Sequence, residues 1–390
     1  MRILFTTTPG WGHVHPMVPL ARAFVDRGDD VSWAAAAEVV PRLEREGFVA
    51  HAAGPGLDES MGLVHRRFPE VDALPPTERP DFFFPRLFGT VRTPLMAADL
   101  IPIARRVQPA LIVSDQAELA GPLAAALLGV PGVTHSFGGL LPGPRVEAAG
   151  RAVAPVWEAH GLEPRPYAGT YDHLYLDIYP PSLQPGAADG GHVPFVQPLR
   201  PETFVTGGDE DLPPWITSGP STAPLVYVTF GTVFNSNPGL VATVAEALRD
   251  LPLRVVVTLG PTGDPEALGA QPENVHVTRY IPQTQLLPHC TAVVSHAGSG
   301  TLLAALGRGL PQLCLPQAAD QFGNAAACAG AGAARALLPG AVSVGAVRAE
   351  MEAVLSDPGI RAAAERIGGE IRAMPGPAEV AGIIAARFDL

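Results

Sequence analysis

The chain contains no lysine; all 26 of its basic residues are arginine. A Schiff-base lysine and a phosphate-loop lysine are therefore excluded. Charge of either sign is scarce, at 16% of residues, and the balance is acidic at −12. Nucleic acid and anionic membranes are both gripped through basic surface, so neither is an expected partner. There are only three cysteines, Cys290, Cys314 and Cys328, and no C-x-x-C pair. Zinc and a disulfide framework are not expected, and a reducing compartment fits. The most apolar run, around LAGPLAAALLGVPGV, is broken by glycine and proline and is too short to span a bilayer. The N-terminus enters a strand-like pattern without the regions of a secretory leader, so a cytoplasmic location is expected.

What the chain does have is apolar substance: 47% hydrophobic residues over a length of 390, enough for two or three domains with buried cores. Short apolar runs ending in polar or turn residues read as strands: 2–8, 30–36 and 110–115 in the first half. After the first, HPMVPLARAFVDRG reads as a helix, with Val18, Leu20, Ala21, Ala23, Phe24 and Val25 on its apolar side and Gly28 closing it. Residues 60–100 and 138–200 have weak periodicity and read as helical insertions and long loops around a cavity. Gly, Pro, Ser, Thr and acidic residues crowd into 205–224, a linker composition.

Strands then resume at 224–232, 253–260, 275–282, 291–298 and 311–317, with helical patterns between them. The expected architecture is α/β, two tandem doubly wound Rossmann-like domains with a cleft between them. The boundaries are 1–208, a linker at 209–223, a second domain at 224–374, and a terminal helix at 375–390 expected to pack back on the first domain. Ligands of such folds sit beyond the carboxyl ends of the strands.

The polar strand ends are where chemistry is expected. TTTPGWGHVHP, residues 6–16, admits three readings. A dinucleotide cradle lacks its third glycine, because His15 stands there. A metal held by His13 and His15 lacks a third ligand. A general base at His13, after a turn at Gly12, needs an orienting acid, and Asp115 at the end of ALIVSD is the best candidate. The plain alternative is that Asp115 caps the next helix and His13 packs. His15 is the weaker base candidate. In SHAGSGT, Gly298 and Gly300 let a ligand approach the backbone. Ser299, Thr301 and the first helical N–H groups can donate to phosphate, and His296 adds a donor or a positive charge. Gly231 and Thr232 end another strand with further donors. Asp320 and Gln321 suit sugar hydroxyls, or Asp320 is a helix cap.

PGWGHVHPMVPLA, RYIPQTQLLPH, SHAGSGT and LPQAADQFGNA together resemble the GT-B glycosyltransferases of family 1, the bacterial type that decorates antibiotics and other natural products. The resemblance covers the whole chain. It implies a metal-independent inverting hexosyltransferase that moves a sugar from a nucleoside diphosphate, preferably a thymidine diphosphate deoxysugar, to a hydroxyl of a small aglycone. The nucleotide sugar is a co-substrate and no cofactor is implied. His13 is then the base and Asp115 its partner. Tyr280 lies against the nucleobase, where the family often has tryptophan, and the backbone of Ile281 bonds the base edge. Thr232, His296, Gly298, Ser299, Gly300 and Thr301 hold the diphosphate, and Asp320 and Gln321 the sugar. Gly12 and Gly231 are counted with the donor-binding residues. Phe82, Phe83, Phe84, Phe88 and Phe137 either line an acceptor pocket or belong to the core. Asp209, Glu210 and Asp211 form a D-x-D that reads as solvated linker. C-glycosylation of an aromatic ring, a non-catalytic binding homologue and a dinucleotide-dependent oxidoreductase are the rival readings. A homodimer is compatible with the sequence.

Overall fold

The computed structural model describes residues 1–184, 190–204, 212–217, 223–231, 238–260 and 263–390. The chain forms two compact units. One comprises Met1–Tyr179, Pro185–Arg200 and Met374–Leu390; the other comprises Pro180–Gln184 and Pro201–Ala373. Each is built on one parallel sheet.

The first sheet contains β1 (Arg2–Thr6), β2 (Asp30–Ala35), β3 (Val49–Ala52), β4 (Leu111–Asp115), β5 (Gly132–His135), β6 (Leu174–Asp177) and β7 (Val196–Pro198). Their order is β3-β2-β1-β4-β5-β6-β7. The central strands are buried on both faces, as continuous apolar runs require: Ile3, Leu4 and Phe5 have no exposed surface, nor does Val113. Phe5 stacks on Trp33 at 4.9 Å between centroids. The helix Val18–Asp26 presents Val18, Leu20, Ala21, Ala23 and Phe24 to the core and ends at Gly28, whose φ is +88°. Val25, expected on that apolar side, is instead 46% exposed, because the 100° step carries it round to solvent. The terminal helix Pro377–Arg387 packs against Val18–Asp26.

The second sheet contains β8 (Leu225–Thr229), β9 (Arg254–Thr258), β10 (Val275–Thr278), β11 (Ala292–Ser295), β12 (Gln312–Cys314) and β13 (Ala334–Ala336), in the order β10-β9-β8-β11-β12-β13. Its core is valine-rich, with Val226, Val228, Val255, Val257 and Val294 inward.

Residues 138–200 depart from the insertion expected there. They contain the helix Gly143–Ala159 but also β6 and β7, which extend the first sheet. Residues 79–107 form one continuous helical run, with a π-helical stretch at Phe84–Arg92. By length and composition this run could cross a membrane, yet 61% of its apolar window is buried inside the protein.

Both sheets reverse strand order beside their first strand, between β1 and β4 and between β8 and β11. At such a switch point neighbouring connections leave in opposite directions and open a crevice at the carboxyl ends. The register sets Thr6 beside Ser114 in one unit and Thr229 beside Ser295 in the other.

Candidate active site and donor site

At the first crevice β1 ends in three threonines. After Pro9 the backbone is caught by Gly10, whose carbonyl accepts from the N–H groups of His13 and Val14 to start the short helix Trp11–Val14. That helix carries His13 to Asp115: Nδ1 stands 3.2 Å from Oδ1. The Asp115 side chain has no exposed surface. Its Oδ2 accepts from the Thr7 hydroxyl at 2.9 Å and the Thr8 N–H at 2.7 Å, and Oδ1 accepts from the Ala117 N–H at 2.7 Å. Burial pushes this carboxyl up, but the opposing pull of His13 and the N–H donors wins and holds it below its ordinary value. Asp115 is therefore an ionised partner of His13. It does not cap the following helix: Glu118 does so, accepting from the N–H groups of Ala120 and Gly121.

The turn expected at Gly12 is not there. Gly12 is an exposed helical residue, and a Cβ on it would meet nothing within 4 Å. The glycine against the His13 ring is instead Gly10, where a Cβ would stand 2.9 Å from Cδ2. His15 stacks on Trp11 at 5.4 Å, and Arg42 lies over the other ring at 4.4 Å. Burial, aided by Arg42, lowers His15 to about 4, so it is a neutral packing residue.

Of the phenylalanines, Phe137 and Phe88 flank the His13 ring at 4.2 and 6.1 Å. Phe84 lies behind Phe88 in the core. Phe82 and Phe83 instead meet Phe68 and His65.

The second crevice is built on backbone. Gly231, with φ +76°, follows β8. Ala297, with φ +62°, follows β11 and precedes Gly298, the residue before the helix Ser299–Gly307. A left-handed alanine is strained and persists only where its surroundings impose it. The first N–H groups of this helix have no side-chain cap, and Gly300 is exposed with open space around it. The His296 ring is wedged between two glycines: a Cβ at Gly231 would lie 2.8 Å from the ring, and one at Gly298 would collide with Nε2. Burial lowers His296 below its ordinary 6.5, against the pull of Asp320 and the Thr229 backbone. Of the two alternatives the sequence offers for it, a donor or a positive charge, burial disfavours the charge.

Asp320 precedes the helix Gln321–Gly330 but makes no side-chain cap bond. Its Oδ2 accepts from the Ser299 hydroxyl at 2.9 Å and from Asn324 Nδ2 at 2.8 Å, and Asn324 also donates to Ser299 Oγ and the Ala297 carbonyl. Gln321 is 3% exposed, and its Oε1 accepts from the N–H groups of Gln317 and Ala318, bracing their loop. The Thr301 hydroxyl accepts from Gln283. Tyr280 is 44% exposed, while Ile281 is buried against Leu286 and Leu287. Asn324, Gln283, Glu118 and the three threonines were not singled out in the sequence. Thr232 and the triplet Asp209, Glu210 and Asp211 lie outside the described residues. Among the described residues no group of three or more His, Cys, Asp and Glu is arranged to hold a metal ion.

Residues 242–386 match the C-terminal domain of the erythromycin biosynthesis protein CIII-like family. The chain is 34% identical to the L-demethylnoviosyl transferase of Streptomyces niveus, over 99% of this chain and 98% of the relative. The chain belongs to the GT-B glycosyltransferases of antibiotic biosynthesis. Among solved structures, this glycosyltransferase superposes on SnogD from Streptomyces nogalater with a TM-score of 0.77 and 30% identity, covering 99% of each chain. It superposes on the spinosyn rhamnosyltransferase SpnG complexed with thymidine diphosphate with a TM-score of 0.80 and 28% identity, covering 98% of this chain and all of the other.

Proposed function

We propose that this glycosyltransferase moves a sugar, preferably a deoxysugar, from a thymidine diphosphate donor to a hydroxyl of a small natural-product aglycone, with inversion. The observation that carries the reading is the contact of His13 with a buried, ionised Asp115. With Nδ1–H donated to Asp115, the Nε2 lone pair is free to take a proton from the acceptor hydroxyl. The acceptor oxygen then attacks the anomeric carbon on the face opposite the diphosphate, and a single displacement inverts that carbon. The departing diphosphate gains charge. The uncapped N–H groups of the helix Ser299–Gly307 and the neutral His296 are suited to receive it. Asp320 and Gln321 serve the sugar in this reading, and exposed Tyr280 the base, with the Ile281 backbone at its edge. Phe137 and Phe88 offer an apolar wall for the acceptor. The thymidine preference leans on SpnG, whose solved complex holds thymidine diphosphate.

The test is thermal unfolding of wild type and His13→Ala with thymidine diphosphate, uridine diphosphate or NAD, each in EDTA. A ligand at 100 times its dissociation constant stabilises the folded protein by about 2.7 kcal/mol. Both proteins should be stabilised by thymidine diphosphate. Turnover of a thymidine diphosphate sugar against a panel of aglycones should survive EDTA, vanish in His13→Ala and give an inverted anomer by NMR coupling. Stabilisation by NAD alone, or full turnover in His13→Ala, would overturn the reading. An absolute metal requirement would return attention to Asp209 and Asp211.

A further inference from the structure

Two buried charged side chains whose electrostatics reach Asp115, the partner of His13, have no part in the reaction above. Glu118 is 4% exposed. Its Oε2 accepts from the Thr6 hydroxyl and the Gly121 N–H, and its Oε1 from the Ala120 N–H, each at 2.9 Å. Thr6, Thr7 and Thr8 thus clamp two carboxylates at the end of β1: Thr6 holds Glu118, and Thr7 and Thr8 hold Asp115. The turn between the two acids is closed by the Glu118 N–H donating to the Asp115 carbonyl. Arg92, 5% exposed, ends the π-helical stretch that brings Phe88 to His13. Its guanidinium donates to Ser60 Oγ, and burial, which pulls it below its ordinary value, is opposed by the charges of Asp115, Glu118, Glu38 and Glu59. Neither Glu118 nor Arg92 makes an ion pair within 4 Å among the described residues. His135, at the end of β5 beside Asp115, is buried and neutral.

The charges can be counted. With His13 neutral, ionised Asp115 and Glu118 outweigh Arg92 by one. With His13 protonated, the buried cluster is neutral. Glu38 and Glu59 are exposed, so water screens them. Resting on the base reading, we infer that Glu118 and Arg92 are positioning residues for His13, two buried charges of opposite sign that set how strongly the His13–Asp115 pair holds the acceptor's proton. Glu118 strengthens the base and Arg92 restrains it. The threonine run at the end of β1 is then a clamp that fixes both acids with respect to the imidazole. Burial raises Glu118 to about 7, so its contribution is switched on across neutral pH.

The experiment follows the pH-dependent Cε1–H resonance of His13 in the full chain labelled with ¹³C-histidine, the signal being identified by its loss in His13→Ala. Glu118→Gln should move the His13 transition to lower pH, and Arg92→Gln to higher pH, each by about 0.5 pH unit, less than a direct contact produces. A residue with a purely structural role would not move the two in opposite directions. Each variant carries its sign by itself. If Glu118→Gln does not fold, Thr6→Val, which removes one donor from Glu118, should shift the transition the same way by less. Transitions that stay in place, or move the same way in both variants, overturn the inference. Turnover of His13→Ala separates the two ideas: if turnover is lost while the transitions stay fixed, only the charge couple falls. If turnover is retained, the base falls and the inference with it.

Discussion

A Cβ at Gly10 would stand 2.9 Å from Cδ2 of His13. The backbone at Gly10 is extended, with φ −69° and ψ 136°, a conformation that any residue adopts. Alanine there strains no dihedral and meets nothing within 4 Å but the His13 ring. Gly10→Ala should therefore fold with a stability within about 1 kcal/mol of wild type. It should lose tenfold or more in turnover, since a displacement of 1 Å can remove about 100-fold in rate. Melting curves and kcat on the same preparation check this; unchanged kcat would mean that the ring position is not critical.

Asp115→Asn keeps the shape but presents an amide to His13 Nδ1. The imidazole then turns its lone pair inward and its N–H toward the acceptor, the wrong tautomer for a base. A loss of about 10³–10⁴ in kcat is expected. Stability should fall by about 1–3 kcal/mol, because the donors from Thr7, Thr8 and Ala117 no longer meet a carboxylate. Affinity for thymidine diphosphate should not change. A kcat within tenfold of wild type would remove Asp115 as the orienting acid.

How much of this could be read before folding differs by kind of feature. Strands buried on both faces announce themselves as apolar runs, and Asp115 stood out because it ends one of them. β6 and β7 are short, LYLD and VQP, and sit among proline, glycine and histidine, so no period marks them. Glu118 reads as an ordinary helix-start acid; only the Thr6 hydroxyl, 112 residues away in sequence, makes it part of the site. The role of Asp320 turns on Ser299, 21 residues back, so the local pattern offers a cap and the fold supplies a tether. Gly10 and Gly12 are equivalent on paper, and the rotamer of His13 decides between them. The left-handed Ala297 and Ala319 carry no signal in composition at all.

Stability should depend on pH in a defined sense. His15 and His135 are both held near 4 by burial, below the ordinary 6.5 of histidine. Between those values the unfolded chain binds more protons, so stability rises with pH. Each histidine contributes about 3 kcal/mol, fully present above 6.5 and lost as pH falls through 4. Glu118 acts in the opposite sense. Raised by burial from 4.5 to about 7, it contributes stability that is complete below 4.5 and lost as pH rises through 7. His51, His173, His276 and His296 are lowered as well, so the rising terms outnumber the one falling term and give a net gain from pH 4.5 to 6.5 and a shallow decline above it. Urea midpoints measured across pH 4.5–8 should peak near 6.5, and His135→Gln should flatten the rise. A rise equally steep in His135→Gln would mean that His135 does not supply it.

Asn324 offers the sharpest probe of the donor side. Its Nδ2 reaches the Ala297 carbonyl, Ser299 Oγ and Asp320 Oδ2 at 3.0, 3.0 and 2.8 Å, so one amide ties the strained turn, the helix start and the proposed sugar-binding acid together. Removing it leaves Asp320 with Ser299 alone and releases the restraint on left-handed Ala297. Asn324→Ala should weaken thymidine diphosphate binding by about tenfold, the equivalent of about 1.4 kcal/mol. It should raise KM for the intact nucleotide sugar further, because the aim of Asp320 is lost as well as the shape of the phosphate turn. Asp320→Ala should spare nucleoside diphosphate binding and raise only KM for the sugar nucleotide, since that acid does not touch the helix N–H groups. Calorimetry with thymidine diphosphate beside steady-state kinetics separates the two effects. Equal damage to both ligands in Asp320→Ala would make the acid a part of the turn rather than a sugar contact, and the Ser299–Asp320–Asn324 triangle would then be scaffold alone.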